Sequence, residues 1–263
     1  MQSSTTQLGD LGRLQGQVAI VTGASSGISA AIAKVFSREG AKLVIASRNE
    51  ATLNVVRDAI RSSGGNVLAI PTDVTKPKEI DHLIQETMAH FGQIDILVNG
   101  VGGYSKTASI VDIAEQEWDD MMLLNLKSAF LCAKAVSPFM IEKHHGRIIN
   151  IGSQVGMGPN PYGASSLIYG TAKAGLIGFS KHLAKDLGPH GITVNTVSPG
   201  TTATERVSEL RGVEGLNAIA KNNPLGRLPT PEETAETVLF LASKPAASIT
   251  GVNIMVNAGM MMY

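Results

Sequence analysis

The sequence predicts one doubly wound α/β domain, in which a seven-stranded parallel sheet carries helices on both faces. Short, β-rich apolar runs alternate with amphipathic helical stretches along the chain, which is typical of parallel α/β folds. Most runs are continuously apolar, such as Ile94-Asp-Ile-Leu-Val98, as expected for strands that are covered on both faces. Right-handed crossovers between such strands place helices on both sides of the sheet.

Strands and helices are predicted in alternation, and each strand prediction rests on a short apolar run. The predicted strands are 18–22, 42–47, 66–71, 94–99, 147–151, 193–198 and 252–256. The predicted helices are 27–39, 50–63, 77–91, 118–143, 166–187 and 231–243. The sequence contains no linker, low-complexity segment or internal repeat, so residues 15–263 are predicted as one domain behind a flexible N-terminal segment, 1–14.

The composition is that of a soluble globular protein, with 43% hydrophobic and 17% charged residues. The 22 acidic residues balance the 22 basic ones, so the charge does not indicate nucleic acid or an anionic membrane as a partner. Cys132 is the only cysteine, which excludes an intrachain disulfide. The polar N-terminus lacks the pattern of a signal peptide, and no apolar run is long enough to cross a bilayer. The expected compartment is the cytoplasm.

A glycine-containing turn follows the first predicted strand and leads directly into a helix. Gly23 and Gly27 lie in this turn, with Ser25, Ser26 and Ile28 as further candidate contacts. Glycines at such a turn allow the backbone to approach a pyrophosphate, whose charge then lies at the helix N-terminus. The spacing is not that of a P-loop, and no Lys-Ser/Thr pair follows, which disfavours a nucleotide triphosphatase. A plain tight turn is the alternative interpretation.

The residues after the second predicted strand favour NADP over NAD. In dinucleotide-binding folds an acidic residue about 20 positions beyond the glycine turn binds the adenosine ribose. Here that count reaches Ser47, which Arg48 follows, and neither is acidic. A guanidinium binds a 2′-phosphate through charge-assisted hydrogen bonds. The alternative is a solvated surface arginine, and the measured affinities for the two cofactors decide between them.

Tyr169 and Lys173 are the candidate proton-transfer pair. Four residues apart on a predicted helix, they share one face, with roughly 5–6 Å between their Cβ atoms. A tyrosine pKa of about 10 is too high for ready proton exchange at neutral pH, and a neighbouring positive charge lowers it. Such a pair can interconvert an alcohol and a carbonyl, although tyrosine and lysine also meet by chance on helices. Ser153 and Asn125 stand upstream of it.

The chain resembles the short-chain dehydrogenase/reductase family over nearly its whole length. The motifs follow in the family's order: Thr22-Gly23-x-x-x-Gly27-Ile28, Asp73-Val74, Asn99-Gly-Val-Gly102, Asn125, Ser153 with Tyr169 and Lys173, and Ser198-Pro199-Gly200 followed by Thr204. From 177 through 195 the sequence is most similar to 3-oxoacyl-thioester (acyl-carrier-protein) reductases. The resemblance implies a Rossmann fold and a nicotinamide cofactor.

The resemblance also implies catalytic roles. Tyr169 would pass a proton to the substrate oxygen while the nicotinamide supplies hydride to the carbon. Lys173 would hold the nicotinamide ribose and lower the Tyr169 pKa. Ser153 would donate a hydrogen bond to the substrate oxygen. Asn125 would hold a water that links Lys173 to solvent, which completes a proton relay.

Further cofactor contacts follow from the same resemblance. Asp73 and Val74 would flank the adenine, and Asn99 would fix the cofactor channel on the adenosine side. The segment after the sixth strand would orient the nicotinamide amide. Its candidate contacts are Pro199, Gly200, Thr202 and Thr204.

Several positions depart from the family pattern. Ser29 replaces the third glycine of the loop, and Gly100-Val101 replaces the common Asn-Ala. We expect cofactor binding to survive, because a small hydroxylated residue still permits close helix–strand packing. Asn257-Ala258-Gly259 replaces Asp-Gly-Gly, which indicates an altered subunit contact, and the apolar chain end is expected to be buried. The 154–168 loop is longer than usual, and Tyr162 within it is a candidate substrate contact or a plain exposed aromatic.

The sequence therefore predicts an NADP-dependent enzyme that interconverts a ketone and a secondary alcohol, with a 3-oxoacyl thioester as one candidate substrate. A sugar, a steroid or another secondary alcohol is the alternative, and a non-catalytic cofactor-binding sensor is the alternative from another class. The 201–224 segment corresponds to the family's mobile substrate lid. The resemblance implies a homotetramer, or otherwise a dimer, in which the 166–187 helix packs against its counterpart. No metal site is predicted.

Overall fold

Seven parallel strands form one sheet in the order β3-β2-β1-β4-β5-β6-β7. The computed structural model describes residues 12–104, 107–161 and 166–262, with only the backbone of Arg206. The strands are β1 Val18–Thr22, β2 Lys42–Ser47, β3 Val67–Pro71, β4 Ile96–Asn99, β5 Gly146–Ile151, β6 Ile192–Pro199 and β7 Asn253–Val256. The helices are α1 Gly27–Arg38, α2 Glu50–Ser62, α3 Pro77–Phe91, α4 Glu115–Met122, α5 Ser128–Lys143, α6 Leu167–Leu187, α7 Glu205–Asn222 and α8 Pro231–Ala242.

Helices cover both faces of the sheet, as predicted, because each strand carries apolar side chains on both sides. On one face α1, α2 and α8 bury residues such as Phe36 and Leu239. On the other face α3, α5 and α6 bury residues such as Leu83 and Val136. The predicted fold class is confirmed, and every predicted strand begins and ends within two residues of its observed bounds.

The strand order reverses at β1, which lies between β2 and β4. In open α/β sheets the crevice at such a switch point, outside the carboxyl ends of the strands, is where ligands bind. The turns after β1 and β4 both open into this crevice. A Cβ atom built on Gly23 would lie 3.0 Å from the carbonyl oxygen of Gly100, so the two turns are in close contact.

The helix predicted near 118–143 ends at Lys143, as predicted, but it begins three residues earlier, at Glu115, and contains a π-helical turn that was not predicted. The structure has α4, then a π-helical turn at Leu123–Lys127, then α5. A π-turn adds one residue to a turn of a helix that continues on both sides of it, and such turns are frequent at functional sites. Here the turn carries the buried Asn125.

The 201–224 segment contains a helix that the sequence pattern did not predict. α7 is interrupted at Gly212, whose φ of 63° and ψ of 171° are not helical. Leu210 and Val213, on either side of the break, are exposed. An exposed helix lacks the apolar periodicity that predicts a buried one, which explains the omission. The role of this segment as a substrate lid stays a prediction.

Both chain ends pack against the domain where the structure describes them. Leu14 is fully buried, and Arg13 bonds to Glu39 and Glu236, although both residues fall in the segment predicted as flexible. The domain boundary itself stays a prediction. Met260 and Met261 are buried within their own chain, as the apolar composition of the C-terminal tail indicated. Among the described helices, none is long and apolar enough to cross a membrane.

Candidate active site

The first turn of α6 fixes the candidate proton donor. Ser166 caps this helix, and its hydroxyl accepts a hydrogen bond from the Tyr169 backbone N–H at 3.3 Å. Ser and Thr are favoured at this position because they satisfy one of the unpaired N–H groups of the helix start. The cap therefore sets where α6 begins. It places Tyr169 in the first turn and Lys173 one turn later on the same face.

Lys173 is buried, with only 3% of its surface exposed. Its Nζ donates a hydrogen bond to the carbonyl oxygen of Ile151, at the end of β5, over 2.8 Å. The same Nζ lies 5.8 Å from the centre of the Tyr169 ring. Burial lowers the pKa of Lys173 to about 8, so the ammonium is present at neutral pH but is readily deprotonated.

Asn125 and Lys173 both approach Gly102 closely. A Cβ atom on Gly102 would lie 2.9 Å from Asn125 Oδ1 and 3.2 Å from Lys173 Nζ. The Asn125 side chain binds the Gly103 backbone at both ends: Oδ1 accepts from the Gly103 N–H, and Nδ2 donates to the Gly103 carbonyl oxygen, each over 3.1 Å. The amide thus clamps the turn after β4. The proton relay predicted through Asn125 stays a prediction.

Ser153 follows β5 on an extended backbone and is half-buried. The short turn after it packs tightly on α6, because a Cβ atom on Gly156 would lie 2.8 Å from the carbonyl carbon of Lys173. Gly156 also donates its N–H to the carbonyl oxygen of Ser153 over 3.0 Å. The structure therefore holds the Ser153 turn against the helix that carries Tyr169 and Lys173.

Replacing Gly102 by alanine is expected to lower kcat/KM at least about tenfold and to destabilise the fold by about 1–3 kcal/mol, because the new methyl group overlaps Asn125 and Lys173. Steady-state kinetics and urea unfolding measure the two effects. Gly188→Ala is the matched control, since Gly188 is exposed and a Cβ atom there meets no atom within 4 Å. Equal behaviour of the two variants would contradict the close approach described at Gly102.

The turn between β1 and α1 has the geometry that an anion-binding loop needs. Gly23 and Gly27 have φ angles of 71° and 58°, in the left-handed region that favours glycine. Ser26 caps α1 without a side-chain hydrogen bond, and the first turn of α1 contains no acidic residue. The N–H groups at this helix start are therefore not satisfied by a capping side chain. A bound pyrophosphate would fit here, with Ser25, which is half-buried, and Ile28 alongside.

Ser29 and Gly100, two of the departures from the family pattern, fit each other. Ser29 is buried, and its hydroxyl lies 3.5 Å from the Gly100 carbonyl oxygen. A Cβ atom on Gly100 would lie only 2.1 Å from Ser29 Oγ. The serine hydroxyl and the Thr22 carbonyl oxygen, which would lie 2.6 Å from the same Cβ atom, together fill the space that a side chain at position 100 would need.

Ser47, Arg48, Asp73 and Val74 lie together at the carboxyl ends of β2 and β3. The strands are in register at Ser47 and Pro71, and Arg48 is exposed beyond them. Arg48 forms no ion pair with any residue that the structure describes. Burial acts to raise the Asp73 pKa. Hydrogen bonds from Thr75, and the positive charges of Lys76 and Arg48, outweigh that effect and lower it.

Asn99 is part of the interior of the sheet. Its Nδ2 donates to Asn150 Oδ1 over 2.8 Å and lies 3.4 Å from the Ala129 carbonyl oxygen. Both contacts are buried, and they tie β4 to β5 and to α5. The role of Asn99 in the cofactor channel stays a prediction.

The segment after β6 reaches across to the glycine turn. Pro199 ends the strand, and the Gly200 N–H donates to the Val256 carbonyl oxygen over 2.9 Å. Thr202 is buried and donates its hydroxyl to the Gly200 carbonyl oxygen over 3.1 Å. Thr204 caps α7, and its methyl carbon would lie 3.4 Å from a Cβ atom on Gly27. The predicted nicotinamide segment and pyrophosphate turn thus border one crevice.

Two side chains in this crevice were not predicted from the sequence. The Tyr104 ring packs edge-on against the Tyr169 ring, with 5.5 Å between centres and 72° between planes. Gln154, next to Ser153, is buried, and its Oε1 has no hydrogen-bond partner. The sequence signal that could have identified Tyr104 is its position just after the Asn99–Gly102 motif. The candidate contact Tyr162 lies outside the described residues.

Comparisons with known proteins identify the family. Residues 23–261 match the family model described as Enoyl-(Acyl carrier protein) reductase. A 3-oxoacyl-(acyl-carrier-protein) reductase from Synechocystis sp. is 42% identical over 95% of this chain and 99% of its own length. The enzyme of that name from Escherichia coli is 40% identical over 94% and 98%.

A solved structure gives the same result. A putative short-chain dehydrogenase/reductase from Burkholderia xenovorans superposes with a TM-score of 0.89 and 35% identity, over 95% of this chain and 98% of that one. These matches extend over nearly the whole chain, including every position of the crevice described above. The chain therefore belongs to the short-chain dehydrogenase/reductase family of oxidoreductases.

Proposed function

We propose that this protein is an NADP-dependent reductase of 3-oxoacyl thioesters, which interconverts a ketone and a secondary alcohol. The observation that carries the proposal is the buried Lys173 ammonium, 5.8 Å from the Tyr169 ring, at the carboxyl ends of the strands. The substrate class comes from relatives of 40–42% identity that are named 3-oxoacyl-(acyl-carrier-protein) reductases.

A bound NADPH would supply hydride to the carbonyl carbon. Tyr169 donates its proton to the substrate oxygen, and the Ser153 hydroxyl donates a hydrogen bond to the same oxygen. The Lys173 ammonium favours the phenolate that Tyr169 becomes. Asn125 keeps the turn after β4 in place, so that Gly102 leaves room for Lys173. In the reverse direction the Tyr169 phenolate accepts the proton of the alcohol.

Consumption of NADPH with a panel of carbonyl compounds tests the proposal. The panel contains acetoacetyl thioester, a 2-enoyl thioester, a keto sugar and a keto steroid. We expect the highest kcat/KM with acetoacetyl thioester. A higher kcat/KM with the sugar or the steroid would show that the substrate class is wrong. Reduction of the enoyl thioester alone would show that the enzyme reduces a carbon–carbon double bond and not a ketone. NADPH binding without turnover of any compound would identify a cofactor-binding sensor.

The preference for NADP is proposed from Arg48. This guanidinium is exposed at the carboxyl end of β2, where the ribose of a dinucleotide lies in such folds, and it forms no ion pair with a carboxylate that the structure describes. Ser47 beside it leaves the position without the acidic residue that binds an unphosphorylated ribose.

Replacing Arg48 by glutamate is expected to weaken NADPH binding at least about tenfold, because a charge-assisted hydrogen bond contributes about 1.5–3 kcal/mol. Binding of NADH is expected to hold or improve. Isothermal titration calorimetry measures both dissociation constants. Lys244→Glu makes the same charge change at an exposed position beyond α8 and should leave both unchanged. Parent protein that binds NADH as tightly as NADPH would refute the preference.

We also propose that the protein is a homotetramer in the cytoplasm. A groove of about 290 Å³ lies between α5 and α6, lined by apolar residues that include Phe130, Phe179 and Leu183. The rings of Phe130 and Phe179 lie 6.2 Å apart, and Phe130 is 43% exposed. An exposed apolar patch formed by α5 and α6 suits packing against the same two helices of a second subunit. Light scattering tests the subunit number, and Phe130→Asp is expected to reduce it.

A further inference from the structure

The aromatic contact between Tyr104 and Tyr169 lies next to the groups that carry the proposed reaction. Ring centres 5.5 Å apart at 72° are within the range in which the edge of one ring attracts the face of the other. Lys173 Nζ also lies near the Tyr169 ring, 5.8 Å from its centre. The Tyr169 ring thus has an aromatic neighbour and a cationic neighbour.

Tyr104 is held in place from both sides. The preceding residue, Gly103, is bound at its N–H and its carbonyl oxygen by the Asn125 side chain. The Tyr104 hydroxyl lies within hydrogen-bond distance of the Thr107 hydroxyl, at 3.2 Å. Asn125 is buried in its π-helical turn, so the clamp connects the helix interior to the position of the Tyr104 ring.

Tyr104 is not a core residue. Its exposed fraction is 42%, and it is not a member of either apolar core of the described chain. Removing the ring therefore leaves the packing of the sheet intact. An effect of its removal on turnover would report on the crevice and not on the stability of the fold.

We propose that Tyr104 is a positioning residue, whose ring holds the Tyr169 phenol beside Lys173 and over the reacting oxygen. The inference rests on the proposed function, because it assigns Tyr169 the proton. Asn125 then has a second task besides the predicted relay: through Gly103 it sets the position of the Tyr104 ring. The aromatic ring is what matters in this arrangement, and the Tyr104 hydroxyl serves only to restrain the ring.

Three variants test the proposal. Tyr104→Leu removes the ring, while Tyr104→Phe keeps the ring and removes its hydroxyl. Thr107→Val removes the same hydroxyl contact from the other partner. With acetoacetyl thioester we expect kcat to fall about three- to tenfold in Tyr104→Leu and to stay within about twofold in the other two. The dissociation constant of NADPH should stay within about twofold in all three.

A second readout does not depend on turnover. Ultraviolet difference titration follows the tyrosinate signal, and Tyr169→Phe identifies the part that belongs to Tyr169. In Tyr104→Leu the phenol is held less closely to Lys173, so Tyr169 should deprotonate at higher pH, since loss of a neighbouring cation raises a phenol pKa. In Tyr104→Phe the signal of residue 104 is lost, but the Tyr169 step should occur at the same pH as in the parent.

These experiments distinguish a failure of the proposed function from a failure of the positioning role of Tyr104. Parent protein that reduces no ketone refutes the proposed function, and the titration still tests the contact. An active parent, with unchanged kcat and unchanged titration in Tyr104→Leu, refutes the positioning role alone. Tyr104→Phe as impaired as Tyr104→Leu would also overturn it, because the hydroxyl and not the ring would then be required. A change confined to KM would assign Tyr104 to substrate contact instead.

Discussion

Replacing Tyr169 by phenylalanine is expected to lower kcat for ketone reduction by about 10²–10⁴-fold, the usual contribution of a positioned proton donor. The substitution removes one oxygen and keeps the ring that packs against Tyr104. Binding of NADPH should therefore stay within about twofold. Steady-state kinetics with acetoacetyl thioester and calorimetric titration of NADPH measure the two effects.

Tyr104→Phe is the matched control for this prediction, because it removes the same phenolic oxygen from the neighbouring ring. If both variants retain more than a tenth of the parent turnover, Tyr169 is not the proton donor. If Tyr169→Phe also loses NADPH affinity by more than about tenfold, the loss of turnover would be a binding effect. The proposed division between proton transfer and cofactor binding would then be wrong.

Replacing Lys173 by methionine is expected to abolish turnover and, at pH 7, to stabilise the fold. The lysine has a pKa of about 8 in place of 10.5, because burial disfavours its charge. That difference corresponds to about 3 kcal/mol of stability lost at neutral pH. Methionine has a similar shape without the charge, but it leaves the Ile151 carbonyl oxygen without its partner, at a cost of about 1–2 kcal/mol. The net gain is expected to be about 1–2 kcal/mol.

The pH dependence of this gain has a definite sign. Below about pH 8 the lysine is charged in both the folded and the unfolded chain, and its burial cost is present in full. Between about 8 and 10.5 the unfolded chain binds more protons than the folded one, so the parent gains stability as the pH rises. The advantage of Lys173→Met should therefore shrink over this interval. Urea unfolding at pH 7 and pH 10 measures it, and a constant advantage would contradict the burial cost.

The sheet was predictable because its strands are continuous apolar runs with helices between them. β1 and β2 begin and end where the sequence placed them. The π-helical turn was not predicted, and the Asn125 side chain within it bonds to the Gly103 backbone, which is remote in sequence. α7 was missed because its apolar residues, such as Leu210, face solvent and leave no periodic pattern.

The candidate site likewise contains residues that could be predicted from the sequence and residues that could not. Tyr169 and Lys173 were predictable, because helical spacing alone places them on one face. Ser153 and Asn125 came from the family resemblance, and the structure holds the Ser153 turn against α6 and places Asn125 beside Lys173. Tyr104 was not predictable, since its contact with Tyr169 arises between the turn after β4 and the start of α6. The role of Asn99 in the cofactor channel also came from the resemblance and stays a prediction, and the structure adds a buried hydrogen bond from its amide to Asn150.

Substituting asparagine at Gly100 alone is expected to weaken NADPH binding at least about tenfold and to destabilise the fold by about 1–3 kcal/mol, because its Cβ atom would lie 2.1 Å from Ser29 Oγ. The double variant Ser29→Gly with Gly100→Asn should regain part of both losses, because the Thr22 carbonyl oxygen still lies 2.6 Å from the position of the new Cβ atom. A double-mutant cycle on the unfolding free energy and the NADPH dissociation constant measures the coupling. Additive effects would show that the two positions are independent.

This steric exchange bears on how the chain is compared with its relatives. A motif search that scores each position separately lowers the score of the chain twice, at residue 29 and at residue 100, although the side chains at these positions compete for the same space. Relatives that carry the same pair would form a subgroup recognisable by two coupled letters some seventy positions apart. Residues transplanted from other members into this loop would have to be moved as a pair.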